Sequence, residues 1–159
     1  MQFDPFKKEN SFYKYNLKIL EDEINQILIL VKSKNTPHHK TTYKSLNVLN
    51  FPILKNLRKQ VISILNRKKL ILQNNWAQFY NSKHKHPVHI HRNCDYTGII
   101  YIQGKTPTVF YNRNFDEHIE EVEKNKMILF PSWIPHEVRQ LQSNENKLII
   151  SFNAQINNG

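Results

Sequence analysis

Apolar residues recur at helical spacing through the first third of the chain and then give way to short alternating or continuous apolar runs. Leu17, Leu20, Ile24, Ile27, Leu28 and Val31 lie three or four apart, which predicts an amphipathic helix over 16–33, with Asn16 as its N-cap and Pro37 beyond its end. A second helix is predicted after Pro52, with Leu54, Leu57, Val61, Ile64 and Leu65 on one face and Lys55, Arg58, Lys59, Arg67 and Lys68 elsewhere. NTPHHKTTYK between them reads as a polar loop. His38 and His39 there are expected to be solvated, because neither has a second cluster at metal-site spacing.

From residue 69 the period shortens to that of strands. The expected strands are 69–81, 96–103, 107–112, 118–123, 126–131, 136–141 and 146–153. Many short strands after two helices predict a mainly β sandwich or barrel that carries the helices on one outer face. The whole of 1–159 is read as one domain, with a helical part over 1–68 and a β core over 69–155.

Composition narrows the class. Hydrophobic residues make up 39% and charged residues 23%, an ordinary globular balance. The longest apolar run, ILILV, falls far short of a bilayer span. MQFDPFKKEN has no apolar signal region, and the single cysteine, Cys94, forms no internal disulfide, so a cytoplasmic protein without a membrane partner is expected. The net charge of +10 invites a nucleic-acid partner, but the lysines are scattered and 20 asparagines accompany them. A compositional bias accounts for much of the charge, so nucleic acid is not the favoured partner.

The candidate chemistry lies in HPVHIHRNCDYTGIIYI, residues 87–103. His89 and His91 alternate across Ile90, and in an extended chain such residues share a face. A third imidazole is available from His136 in ILFPSWIPHEV. Each histidine alone has a plainer reading as a packed or solvated residue, so metal binding and simple packing both stay open on spacing alone.

These segments resemble the iron(II)/2-oxoglutarate-dependent dioxygenases, in particular the prolyl-hydroxylase-like branch and small oxygenases of phages and bacteria. That family shows HxD, a TxIxYL strand, a distal PHEV and a later basic residue. Here HIH, TGIIYI and PHEV occupy those places, Lys147 follows His136 by eleven residues, and FPSW (130–133) and SFN (151–153) match the small relatives. The resemblance covers roughly 70–155. It implies a double-stranded β-helix, the jelly-roll and cupin-like core, flanked by the two helices. It also implies a cytoplasmic setting in a bacterium or a phage-infected host.

The implied cofactor is Fe(II), with 2-oxoglutarate as cosubstrate and dioxygen as co-reactant. His89, His91 and His136 are the implied ligands. Tyr80, Tyr101, Lys147 and Ser151 are the implied cosubstrate residues, and no catalytic group is required beyond the metal ligands. His91 stands where the family keeps a carboxylate, so the third ligand is left open among His91, Asp95 and water. The implied reaction hydroxylates an unactivated carbon of an unknown substrate, a peptide side chain such as proline or a small molecule. His84 and His86 are expected in a solvated entrance loop, and Trp76 and Trp133 in the core. Two alternatives are a three-His cupin-type dioxygenase without 2-oxoglutarate and a non-catalytic basic nucleic-acid-binding module.

Overall fold

The strand-period half of the chain folds into two antiparallel sheets. The computed structural model describes residues 12–33, 40–121, 123–142 and 144–159; His38 and His39 lie outside them. The elements are β1 (Tyr13–Asn16), α1 (Glu21–Lys32), β2 (Lys40–Thr41), α2 (Lys55–Arg67), β3 (Leu70–Asn81), β4 (His86–His89), β5 (Tyr96–Gln103), β6 (Thr108–Tyr111), β7 (Glu117–Glu120), β8 (Lys126–Pro131), β9 (His136–Val138) and β10 (Asn146–Ile156). The major sheet runs β1-β8-β5-β10-β3-β2 and the minor sheet β4-β9-β6-β7. This is the expected jelly-roll core with two helices.

Period-2 alternation divides the core into two layers. On β10, Leu148, Ile150, Phe152 and Ala154 join Ile100, Ile102, Met127, Leu129 and the apolar stripes of α1 and α2 in one cluster. The intervening Ile149 joins Tyr80, Ile99, Tyr101, Phe110, Ile128 and Phe130 in a second cluster between the sheets. Each fully buried Leu, Ile or Phe contributes about 1.5–3 kcal/mol, so the alternation fixes which face of β10 meets the site. Gly98 is required where β5 crosses β10. A Cβ there would lie 2.0 Å from the Phe152 ring.

The N-terminal part departs from the helical expectation. Residues 13–16 form an edge strand paired with β8, and 40–41 pair with β3. Asn16 is therefore extended and is not a cap; α1 starts at Glu21. Its first turn carries Glu21, Asp22 and Glu23, which suits the positive end of a helix. The buried Glu23 carboxylate accepts hydrogen bonds from Leu20 N and Leu57 N, each at 2.9 Å, and so joins the starts of both helices. His86 is likewise not in a loop, since it opens β4 opposite Val138. Trp133 is 40% exposed, because it sits in the β8–β9 turn and not in a strand. No helix among the described residues is long and apolar enough to cross a membrane.

Candidate metal centre

Antiparallel pairing of β4 with β9 sets His89 directly opposite His136. His91 follows β4 by two residues, on the same side as His89. One atom from each of His89, His91 and His136 lies within 4.8 Å of the others, a spacing that one ion can fill. The ring centroids are 4.3 Å apart for His89 and His136, 5.3 Å for His89 and His91, and 5.2 Å for His91 and His136.

Hydrogen bonds fix the tautomer of all three rings. His89 Nδ1 lies 2.8 Å from the Pro87 carbonyl, and His136 Nδ1 lies 3.0 Å from that of Ile134. His91 Nδ1 meets the Asn153 side-chain oxygen at 2.8 Å. A carbonyl only accepts, so each Nδ1 carries the proton and each Nε2 keeps its lone pair. Burial lowers the pKa of all three, His91 to about 4 and His136 well below the usual imidazole range. Neutral rings with free Nε2 are the form that binds a metal.

The two ligand-bearing segments are laced by Ser132. Its carbonyl accepts from His91 N at 3.0 Å, its amide donates to Asp95 O at 3.0 Å, and its hydroxyl donates to Cys94 O at 2.6 Å. FPSW therefore ties the HIH segment to the distal histidine. Asp95, one of the three candidates for the third position, is held elsewhere: its Oδ2 accepts from Ile156 N at 2.7 Å.

Beside the triad lies a cleft of about 400 Å³ lined by Tyr43, Trp76, His89, Ile90, His91 and Arg92, among others. Trp76, 5% exposed as a core residue should be, stacks on His91 at 5.6 Å. His86 stacks on His89 at 4.0 Å, while Gln78 Nε2 and the Tyr80 hydroxyl meet its Nδ1 at 3.2 and 3.1 Å. Sequence reasoning did not single out Gln78 or this role of His86.

The expected cosubstrate residues share the buried inter-sheet layer next to His136 and do not line the cleft. Lys147 is fully buried on β10 opposite Tyr80. Its Nζ donates to the Thr106 carbonyl at 2.6 Å and lies 5.4 Å from the centre of the Tyr101 ring. No described carboxylate is in ion-pair contact with it; burial pulls its pKa down to about 7, with the nearby Glu145 carboxylate pulling the other way. Tyr101 bonds through its hydroxyl to Thr108 Oγ1 at 2.8 Å. Ser151 donates to Gln78 Oε1 at 2.8 Å, so its proton orients Gln78.

No family model and no curated protein matches the chain. Its fold is shared with solved Fe(II)/2-oxoglutarate oxygenases. The viral collagen prolyl hydroxylase of Paramecium bursaria Chlorella virus-1, in its 2-oxoglutarate complex, is 13% identical with a TM-score of 0.70 over 95% of this chain and 98% of that one. The prolyl hydroxylase of Trichoplax adhaerens, solved with a hypoxia inducible factor peptide fragment, is 15% identical with a TM-score of 0.67 over 91% and 84%. HygX of Streptomyces hygroscopicus, solved with nickel and 2-oxoglutarate bound, is 11% identical with a TM-score of 0.68 over 92% and 83%.

Proposed function

We propose that this chain is an iron(II)- and 2-oxoglutarate-dependent dioxygenase whose metal is held by three histidines. The observation that carries the reading is the convergence of His89, His91 and His136 within 4.8 Å with every Nδ1 committed to an acceptor. Three protein ligands on one face leave positions open for exogenous groups. With 2-oxoglutarate bound, iron supplies the activation of dioxygen that couples decarboxylation to succinate with hydroxylation of a carbon. The chain's own groups bind, orient and exclude water.

Lys147 is the residue proposed to receive the far carboxylate of 2-oxoglutarate. A fully buried ammonium with no carboxylate in contact among the described residues is costly, and an anionic cosubstrate offsets that cost. Tyr101, poised by Thr108, adds a hydroxyl donor, Tyr80 borders Lys147 from the neighbouring strand β3, and Ser151 acts through Gln78. Replacement of the family's carboxylate by His91 leaves the ion one unit more positive, which strengthens its demand for a dianionic cosubstrate. The proposed substrate is a peptide side chain such as proline, supported by the likeness to two prolyl hydroxylases and by the aromatic wall of Tyr43 and Trp76.

Succinate release under air with Fe(II) and 2-oxoglutarate tests this reading. Uncoupled turnover is expected for the wild type and only background for His136→Ala. Equal rates for the two proteins would overturn it. The three-His set also suits a cupin-type dioxygenase, which would consume dioxygen with a substrate and form no succinate; it gives Lys147 no role.

A further inference from the structure

Asn153 is the side chain bonded to His91 Nδ1, and it reaches that ring across 62 residues of sequence. Alternation along β10 sets residues 147, 149, 151 and 153 on the inward face. A register shift between Phe152 and Ala154 against β3 marks a bulge at Asn153, and bulges re-aim a side chain next to a site. The amide orientation is fixed from both ends. Nδ2 donates to Asn74 Oδ1 at 3.0 Å, and Thr97 Oγ1 approaches Oδ1 at 3.5 Å. Oδ1 therefore faces His91 Nδ1 and can only accept.

The three histidines are not held alike. His89 and His136 each bond the carbonyl two residues upstream, a local contact that comes with the backbone. Among the described residues His91 Nδ1 has no such carbonyl partner and depends on a side chain that a point mutation can remove. We infer that Asn153 is a positioning residue that makes His91 a metal ligand by fixing its Nδ1–H tautomer and ring plane, with Trp76 stacked on the ring as a second restraint. This rests on the metal-site reading above. It gives Asn153 the part a carboxylate or carbonyl plays behind other metal-bound imidazoles, without adding charge.

The test uses Asn153→Leu and Asn153→Asp, with Asn153→Ala as a second truncation. Leu keeps the bulk and loses the acceptor; Asp keeps the acceptor. Long-range ¹H–¹⁵N spectra of the metal-free proteins read the histidine tautomers, and anaerobic titration with Co(II) reads affinity. In Asn153→Leu and Asn153→Ala, His91 is expected to lose its Nδ1–H tautomer while His89 and His136 keep theirs. Affinity is expected to fall about 10- to 100-fold, and Asp is expected to restore both. An Nδ1–H His91 in the Leu variant with wild-type affinity would overturn the inference, as would an Asp variant no better than Leu. A wild type that binds no metal would overturn the metal-site reading instead, while the tautomer comparison would still decide the role of Asn153 in holding His91.

Discussion

Lys147→Met is expected to stabilise the cosubstrate-free protein and abolish its response to 2-oxoglutarate. Burial lowers the ammonium from its ordinary 10.5 to about 7. At roughly 1.4 kcal/mol per unit, the wild type carries a penalty of about 4 kcal/mol at pH 7. Methionine removes it but leaves the Thr106 carbonyl without its donor, a cost of about 1–3 kcal/mol. The net gain is about 1–3 kcal/mol, or a rise in Tm of about 2–10 °C for a chain of this size. The sign of the pH dependence follows. Between about 7 and 10.5 the unfolded chain holds a proton that the folded chain lacks, so Lys147 makes wild-type stability rise with pH across that window, and the variant lacks this contribution. A saturating dianion raises wild-type stability by about 2.7 kcal/mol at a hundred times Kd. Its binding takes up a proton above pH 7, so affinity falls about tenfold per pH unit there. Scanning calorimetry with and without 2-oxoglutarate reads all of this. A Tm that falls in Lys147→Met, with unchanged stabilisation by 2-oxoglutarate, would refute the reasoning and make Lys147 a structural residue.

Further substitutions probe the helix starts, the β5–β10 contact and the third ligand position. Glu23→Ala removes an acceptor shared by Leu20 N and Leu57 N and is expected to cost about 3–6 kcal/mol in urea unfolding, since bonds to charged groups are worth about 1.5–3 kcal/mol each; a loss under about 0.5 kcal/mol would contradict the shared-cap reading. Gly98→Ala drives a methyl into the Phe152 ring and is expected to destabilise by about 1–3 kcal/mol. Adding Phe152→Leu should recover part of that loss, and strict additivity would show that the two sites do not touch. His91→Ala should lower metal affinity far more than Asp95→Ala in the same titration, and the reverse order would return the third ligand position to Asp95.

Long alternating runs were the legible part of the fold. β5, β8, the second half of β3 and the middle of β10 are buried on both faces, and long runs rich in apolar residues announce them as strands. β1, β2 and β4 are two to four residues long, rich in Lys, His and Tyr, and lie at sheet edges. Pairing with β8, β3 and β9 makes them strands, and pairing leaves no local pattern. Asn16 looked like a cap because it is polar before an apolar stripe, but an edge strand claims it and the buried Glu23 does the capping.

His89 and His91 were legible because i, i+2 spacing puts both side chains on one face of any extended chain, whereas His136 was tied to them only by the resemblance that its PHEV segment carries. Asn153 was not, although the signal existed: stepping by two from Lys147 along one strand face leads through Ile149 and Ser151 to Asn153. Only the bulge and the contact across 62 residues reveal that its amide, and not a carbonyl two residues upstream, orients the middle histidine. Gln78 escaped for the same reason, since Ser151 reaches it across 73 residues, while His86 escaped because its partners Gln78, Tyr80 and His89, though near in sequence, meet it only once β3 and β4 are packed.

The most direct measurement is an anaerobic titration of the metal-free protein with Fe(II) and 2-oxoglutarate, followed by visible absorption. The account predicts a weak charge-transfer band that saturates at one iron and one 2-oxoglutarate per chain and is absent from His136→Ala. Saturating both ligands without such a band, or an equal band in His136→Ala, would contradict it.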